Sequence, residues 1–109
     1  MKKNNTVSFL SVLKRLGKSS GGLLSFPMEG LTLAMDIACN NNTLKLLKVF
    51  DQIVLAHHGR VYLAKDACLS PESFRAMYPG YEKFMKIKHK IDPQNIFQSS
   101  LSKRLHIGN

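Results

Sequence analysis

Residues 31–39, LTLAMDIAC, place Leu31, Leu33, Met35, Ile37 and Cys39 on one side and Thr32, Ala34, Asp36 and Ala38 on the other. Strict alternation over nine residues matches the two-residue repeat of a β-strand and no helical period, so this segment reads as a half-buried strand. Its second side is small and carries one acid, which leaves room for something to lie against it. With 109 residues, the chain around this strand makes one small domain or part of a larger one, with a modest core. Hydrophobic residues at 44% and charged ones at 21% are ordinary for a globular protein and argue against global disorder.

Upstream, the segment from Val7 to Lys14 fits two periods. Phe9, Val12, Leu13 and Leu16 suit a helix face, whereas its aromatic and β-branched content suits a strand. Lys18-Ser19-Ser20-Gly21-Gly22 reads as a flexible loop, and Pro27 and Gly30 bracket a turn. Downstream, Asn40-Asn41-Asn42-Thr43 supplies capping oxygens for a helix carrying Leu47, Phe50, Ile53 and Val54 and ending near His57-His58-Gly59. Arg60 to Ala64 reads as a short strand. Ser70 is the natural N-cap of the next helix, with Pro71 at its first position and Glu72 at the positive end of its dipole, and Tyr78-Pro79-Gly80 stops it. A further amphipathic helix over 81–90 places Tyr81, Phe84, Met85 and Lys88 on one face before Asp92-Pro93 breaks it. Ile96-Phe97 reads as an apolar plug, and Ser99 or Ser100 caps a last helical turn with Leu101 and Leu105.

Sixteen Lys and Arg against seven Asp and Glu give a formal charge of +9, enough to attract nucleic acid, anionic lipid or a phosphorylated ligand. The basic residues are dispersed rather than gathered in a tail, so most read as solvated helix faces. Cys39 and Cys68 have neither CxxC spacing nor a second pair, which suits a reduced, cytoplasmic setting and no metal site. No apolar stretch approaches the ~18 residues of a membrane span, and Met1-Lys2-Lys3 imitates a charged leader but is followed by polar Asn4-Asn5-Thr6, so no signal peptide is expected.

Lys65 closes the expected 60–64 strand. On pattern alone it is an exposed lysine paired with Asp66. The sharper reading has it project into a cleft. Lys14 ends the other apolar segment; were the two segments neighbours in one sheet, both ammonium groups would form a positive pocket for a phosphate or a developing anion. Tyr62 reads as core or as the wall of that pocket. Adjacent His57 and His58 point about a quarter-turn apart on a helix and suit a C-terminal cap better than a metal. The helix with Lys83, Lys86, Lys88, His89 and Lys90 is the one surface suited to phosphates. It defines the alternative function class, a small basic interaction protein binding nucleic acid or an anionic partner, although no nucleic-acid motif accompanies it.

Four segments, FLSVLKRLG (9–17), LLSFPMEGLTLAMD (23–36), GRVYLAKDACLSPESFRAMYP (59–79) and IDPQNIFQSSLSKRL (91–105), resemble in order and spacing the C-terminal end of FAD-linked oxidoreductases of the vanillyl-alcohol oxidase type. The stronger likeness is to the decaprenylphosphoryl-ribose 2′-oxidases and the more distant one to the aldonolactone oxidases. The resemblance implies an α+β fold, a small antiparallel sheet flanked by helices, forming part of the substrate or cap domain of a larger flavoenzyme. It makes residues 7–15 a strand, residues 1–6 a disordered tail, and 7–109 a substrate-domain fragment.

It also implies that Lys65 lies beside the flavin and the substrate pocket, that Lys14 is a second active-site lysine, and that Tyr62 borders the same pocket. Leu16, Thr32 and Ala34 stand where the family pattern has an aromatic residue, an asparagine and a cysteine, changes that spare the sheet and bear on the substrate. The implied activity is oxidation of a sugar or sugar-derived alcohol. A flavin that receives hydride at N5 gathers negative charge around N1 and the C2 carbonyl, where a fixed ammonium is stabilising. FAD itself is expected to be held by a separate FAD-binding domain or subunit, since no GxGxxG occurs and Gly21-Gly22 opens no helix. Alone the chain is expected to bind no FAD, to be silent, and to self-associate through apolar surface its partner would cover.

Overall fold

The computed structural model describes residues 8–108; the tail expected over 1–6 lies outside the described residues. Strand β1, Ser8–Leu16, pairs antiparallel with β2, Gly30–Ile37, in a two-stranded sheet. Four helices follow: α1 (Thr43–Ala56), α2 (Pro71–Met77), α3 (Tyr81–Ile91) and α4 (Ser100–Arg104). This is the expected small α+β arrangement. The ambiguous first segment is a strand because β2 offers it a partner: Leu13 faces Leu33 and Val12 faces Ala34 across the ladder, and β-branched and aromatic residues fit a pleated surface.

Local chemistry sets the helix boundaries. Asn40 Oδ1 accepts the amides of Asn42 and Thr43, while Thr43 Oγ1 donates to the Ala38 carbonyl, so the end of β2 is bonded to the start of α1. At the other end of α1, His57 Nδ1 lies 2.8 Å from the Ile53 carbonyl and His58 takes a positive φ, the cap the two histidines were expected to form. Ser70 Oγ accepts the Ser73 amide ahead of Pro71. Ser99 and Ser102 close a reciprocal capping box on α4.

The core is assembled from the second half of the chain. Leu69, Phe74, Met77, Tyr78, Tyr81, Met85, Leu105 and Ile107 are buried together, with the Phe74 ring 5.4 Å from those of both Tyr78 and Tyr81. In α1 the buried positions are Thr43 and Leu46; of the expected face, Leu47, Phe50 and Val54 are only partly buried and Ile53 is exposed.

Three expectations are corrected. Residues 60–64 form no strand: the Tyr78 hydroxyl donates to the Val61 carbonyl and the Lys65 amide to that of Tyr62, so the segment turns into a 3-10 helix, Leu63–Lys65, with no strand among the described residues beside it. Val61 and Leu63 still pack against the core, so the alternation was real but had no ladder to join. Ile96-Phe97 is not a plug, Phe97 being 80% exposed. The strand β2 stops at Ile37, short of Cys39, and its apolar side is uncovered at Leu31 and Leu33 while Met35 and Ile37 are half-buried.

The segment that follows the expected 18–22 loop, residues 23–26, attaches the ribbon to the helices. Arg60 Nη1 donates to the Ser25 carbonyl at 2.9 Å, and the rings of Phe26 and Tyr62 lie 4.9 Å apart. Leu23 crosses so close to the start of α3 that a Cβ on Gly80 would collide with its carbonyl oxygen.

Candidate functional site

Directly opposed residues of an antiparallel pair share a face. Lys14 faces Thr32, Val12 faces Ala34 and Leu16 faces Gly30, so Lys14, Leu16, Thr32 and Ala34 all lie on one side of the ribbon. The other side carries Leu13, Arg15, Leu31, Leu33 and Met35. One side is therefore mixed, with a cation and small or polar neighbours; the other is largely apolar.

Lys65 sits in the 3-10 turn, not in a sheet strand as expected, and it is exposed. Its anticipated partner Asp66 is committed elsewhere, to Arg104 at 2.6 Å and to the amides of Cys68 and Leu69. Among the described residues neither Lys14 nor Lys65 makes an ion pair or a side-chain hydrogen bond. Tyr62 is 46% exposed, so the core reading of that ring fails; it lies instead against Phe26.

That ring contact relates the two lysines. Phe26 is four residues from Gly30, so at most about 14 Å of extended chain separates them, and the ribbon end bearing Lys14, Leu16 and Thr32 is the end tied to the Tyr62–Lys65 turn. The features on offer are two unpaired ammonium groups, an exposed Tyr62 ring resting on a half-buried Phe26, and a strip of small side chains, suited to an anionic or electron-accepting planar group and a hydroxylated ligand.

Sequence reasoning passed over several residues around this site. Arg60 reaches Ser25 while its guanidinium stacks 5.2 Å from the centre of the Tyr78 ring, and its Nε is buried with no hydrogen-bond partner. Phe26, Asp66 and Arg104 were likewise missed as determinants of the turn. The Arg60–Ser25, Phe26–Tyr62 and Asp66–Arg104 contacts each join residues 35 or more positions apart, whereas the alternation of Tyr62 with Val61 and Leu63 hinted that its ring faced outward.

The remaining candidates do not converge here. Lys88 is bonded to Asp92 at 2.7 Å, which removes one of the five basic residues from the phosphate-facing surface imagined on α3. Burial, followed by the nearby Asp66 carboxylate, pushes the Cys68 thiol above its ordinary range, leaving it protonated and a poor nucleophile. No group of three His, Cys, Asp or Glu among the described residues is placed to hold a metal ion. No described helix is long and apolar enough to cross a membrane.

Residues 30–105 match the D-arabinono-1,4-lactone oxidase family. Over 100 residues the chain is 34% identical to decaprenylphosphoryl-beta-D-ribose oxidase of Mycolicibacterium smegmatis, covering 92% of this chain and 22% of that protein. Over 95 residues it is 40% identical to a Streptomyces coelicolor protein described as an uncharacterized protein in the mprA 5′ region, covering 86% and 26% respectively. The chain thus spans roughly a fifth to a quarter of the length of these curated relatives.

Proposed function

Because the chain belongs to the D-arabinono-1,4-lactone oxidase family, we propose that it is the C-terminal, substrate-side part of an FAD-dependent oxidoreductase acting on a sugar or sugar-derived alcohol. The observation that supports this reading is the Phe26–Tyr62 ring contact, which ties the segment leading into β2 to the turn that carries Lys65.

The residues present fit one end of FAD and not the other. Gly21-Gly22 leads into a turn and then irregular chain rather than a helix, so no described residues cradle a pyrophosphate. Holding that group falls to an FAD-binding domain or subunit. Lys65 and Lys14 fit the pyrimidine edge of the flavin, and Tyr62 with Phe26 offers a ring surface beside it. Bound FAD would supply two-electron oxidation of a substrate carbinol, with negative charge gathering on its N1 and C2-carbonyl edge.

The chain's own part is electrostatic and positional. Lys65, held on a short turn and free of an internal partner, presents a full positive charge whose stabilising effect grows as water is excluded. Lys14 stands beside Thr32 on the ribbon; the pair donates to substrate hydroxyl or phosphate oxygens. Ala34 and Leu16 leave a shallow, partly apolar floor where a sugar ring lies flat. The decaprenylphosphoryl relative's name supports a sugar-type substrate. A reduced, cytoplasmic setting completes the reading, supported by two free cysteines.

The test is assembly. Mixed with a matching FAD-binding part, the chain is expected to yield a flavin-retaining complex whose absorbance near the oxidised flavin band bleaches on adding substrate. A well-folded pair that neither retains flavin nor bleaches with any of a panel of sugar alcohols and aldonolactones overturns the proposal.

A further inference from the structure

We infer that Asp66 and Arg104 are positioning residues for Lys65, an inference that rests on the flavin-facing reading above. Asp66 follows Lys65 directly, and both of its carboxylate oxygens have partners. Oδ1 accepts the amides of Cys68 and Leu69, both at 2.8 Å, and Oδ2 accepts Arg104 Nη2 at 2.6 Å. Arg104 Nη1 donates to the Leu69 carbonyl at 2.6 Å, while Nη2 reaches the Asp66 carbonyl at 3.5 Å. One guanidinium therefore grips both ends of the 66–69 turn. On the other side of Lys65, its own amide donates to the Tyr62 carbonyl and Tyr78 holds Val61. The lysine is exposed, yet the backbone on each side of it is fixed.

These bonds exceed what the local fold requires. Helix α2 begins after this turn and has its own cap in Ser70. Helix α4, which carries Arg104, is already attached through Leu101 and the fully buried Leu105. Desolvating a carboxylate costs more than apolar packing that would attach α4 equally well; what the ion pair adds is a single geometry for the turn. An ammonium that stabilises a developing charge must be in place beforehand, because displacement by about an ångström costs orders of magnitude in rate.

The experiment uses the flavin-loaded assembly and sulfite, whose affinity for flavin N5 rises with positive charge at the pyrimidine edge. Arg104→Lys keeps the charge and loses the two-ended grip; Asp66→Asn keeps the size and loses the pairing. Each is expected to weaken sulfite binding at least about tenfold with Lys65 still present. The double variant Lys65→Ala/Arg104→Lys is expected to be no weaker than Lys65→Ala alone, since the arginine acts only through the lysine. In the free chain, hydrogen exchange of the Cys68 and Leu69 amides should rise about tenfold while those of Phe74 and Tyr78 stay protected. Losses that add in the double variant, or unchanged sulfite affinity in both single variants, overturn the inference while the flavin reading stands. If Lys65→Ala itself leaves sulfite affinity unchanged, the flavin reading fails and the inference with it.

Discussion

Tyr78 joins the core to the candidate site: its ring packs on Phe74 and its hydroxyl holds the Val61 carbonyl at 2.7 Å. Burial foremost pushes its phenol up to about 12, from an ordinary value of 10.0, with Arg60 opposing and Asp66 adding to the rise. The unfolded chain gives up this proton first. The stability contributed by neutral Tyr78 is therefore complete below about pH 10 and disappears as pH climbs through about 12. Tyr78→Phe is expected to flatten that alkaline decline and to cost about 1 kcal/mol near neutrality, where the Val61 carbonyl loses its donor; urea midpoints followed from neutral to alkaline pH decide it. Lys65 gives the opposite pattern. Being exposed and unpaired, it should be replaceable by alanine with stability changed by less than about 0.5 kcal/mol. In the flavin-loaded assembly the same change should slow substrate-dependent bleaching by about 10²-fold or more. Equal bleaching rates would remove Lys65 from the site.

Helix α3 and the turn after it depend on one carboxylate. Asp92 accepts Lys88 Nζ on Oδ2 at 2.7 Å and the amides of Ile96 and Phe97 at 2.8 and 3.1 Å. The Lys88 hydrogen bond is the largest cause holding its carboxyl below the ordinary 3.8, with burial opposing and the two amides assisting. Its contribution is present above about pH 4 and is lost as pH falls through the lowered value. Asp92→Asn should therefore lower thermal stability at neutral pH and shift the acid-unfolding limb less steeply than in the parent, as circular dichroism would record. Helix α2 offers a purely local counterpart: Ser70→Ala is expected to cost about 1 kcal/mol. Features of that local kind were legible. Ser70-Pro71-Glu72, the Asn40 cap and the alternation of β2 each speak through residues a few positions apart. A strand at 60–64 was not decidable this way, because strandness belongs to a pair and no described strand lies beside this segment. Arg104, not adjacent Lys65, takes Asp66, and Phe26 reaches Tyr62 across 36 positions of sequence. The site was legible only in part: Lys14, Leu16, Thr32 and Ala34 share a face that alternation could foretell, but the roles assigned to the lysines came from resemblance.

At the scale of the molecule, the chain is drawn out. Its radius of gyration is 15.4 Å with extents of 47 × 32 × 21 Å, against about 13 Å for a compact domain of this size. The excess has a cause in the ribbon, whose two strands have, among the described residues, only each other as ladder partners, leaving one unpaired edge apiece. Leu13, Leu31 and Leu33 form an exposed apolar strip on the side opposite Lys14. A second apolar area lies around α3, where Phe84, Ile87, Ile91 and Phe97 line a groove of about 260 Å³. Apolar strips and open edges of this kind associate in water, and the curated relatives have most of their length outside the matched region. The free chain is accordingly expected to self-associate as its concentration rises, and an FAD-binding part should compete with that process. Sedimentation velocity over a dilution series separates the two surfaces. Leu13→Glu with Leu33→Lys should shift the distribution toward monomer if the ribbon is the adhesive side. Phe97→Ser would have the larger effect if the groove on α3 were responsible. A chain that stays monomeric at high micromolar concentration would mean that neither surface drives association, and the ribbon's exposed leucines would then have to be tolerated as single side chains in water, each forgoing roughly 1.5–3 kcal/mol of burial.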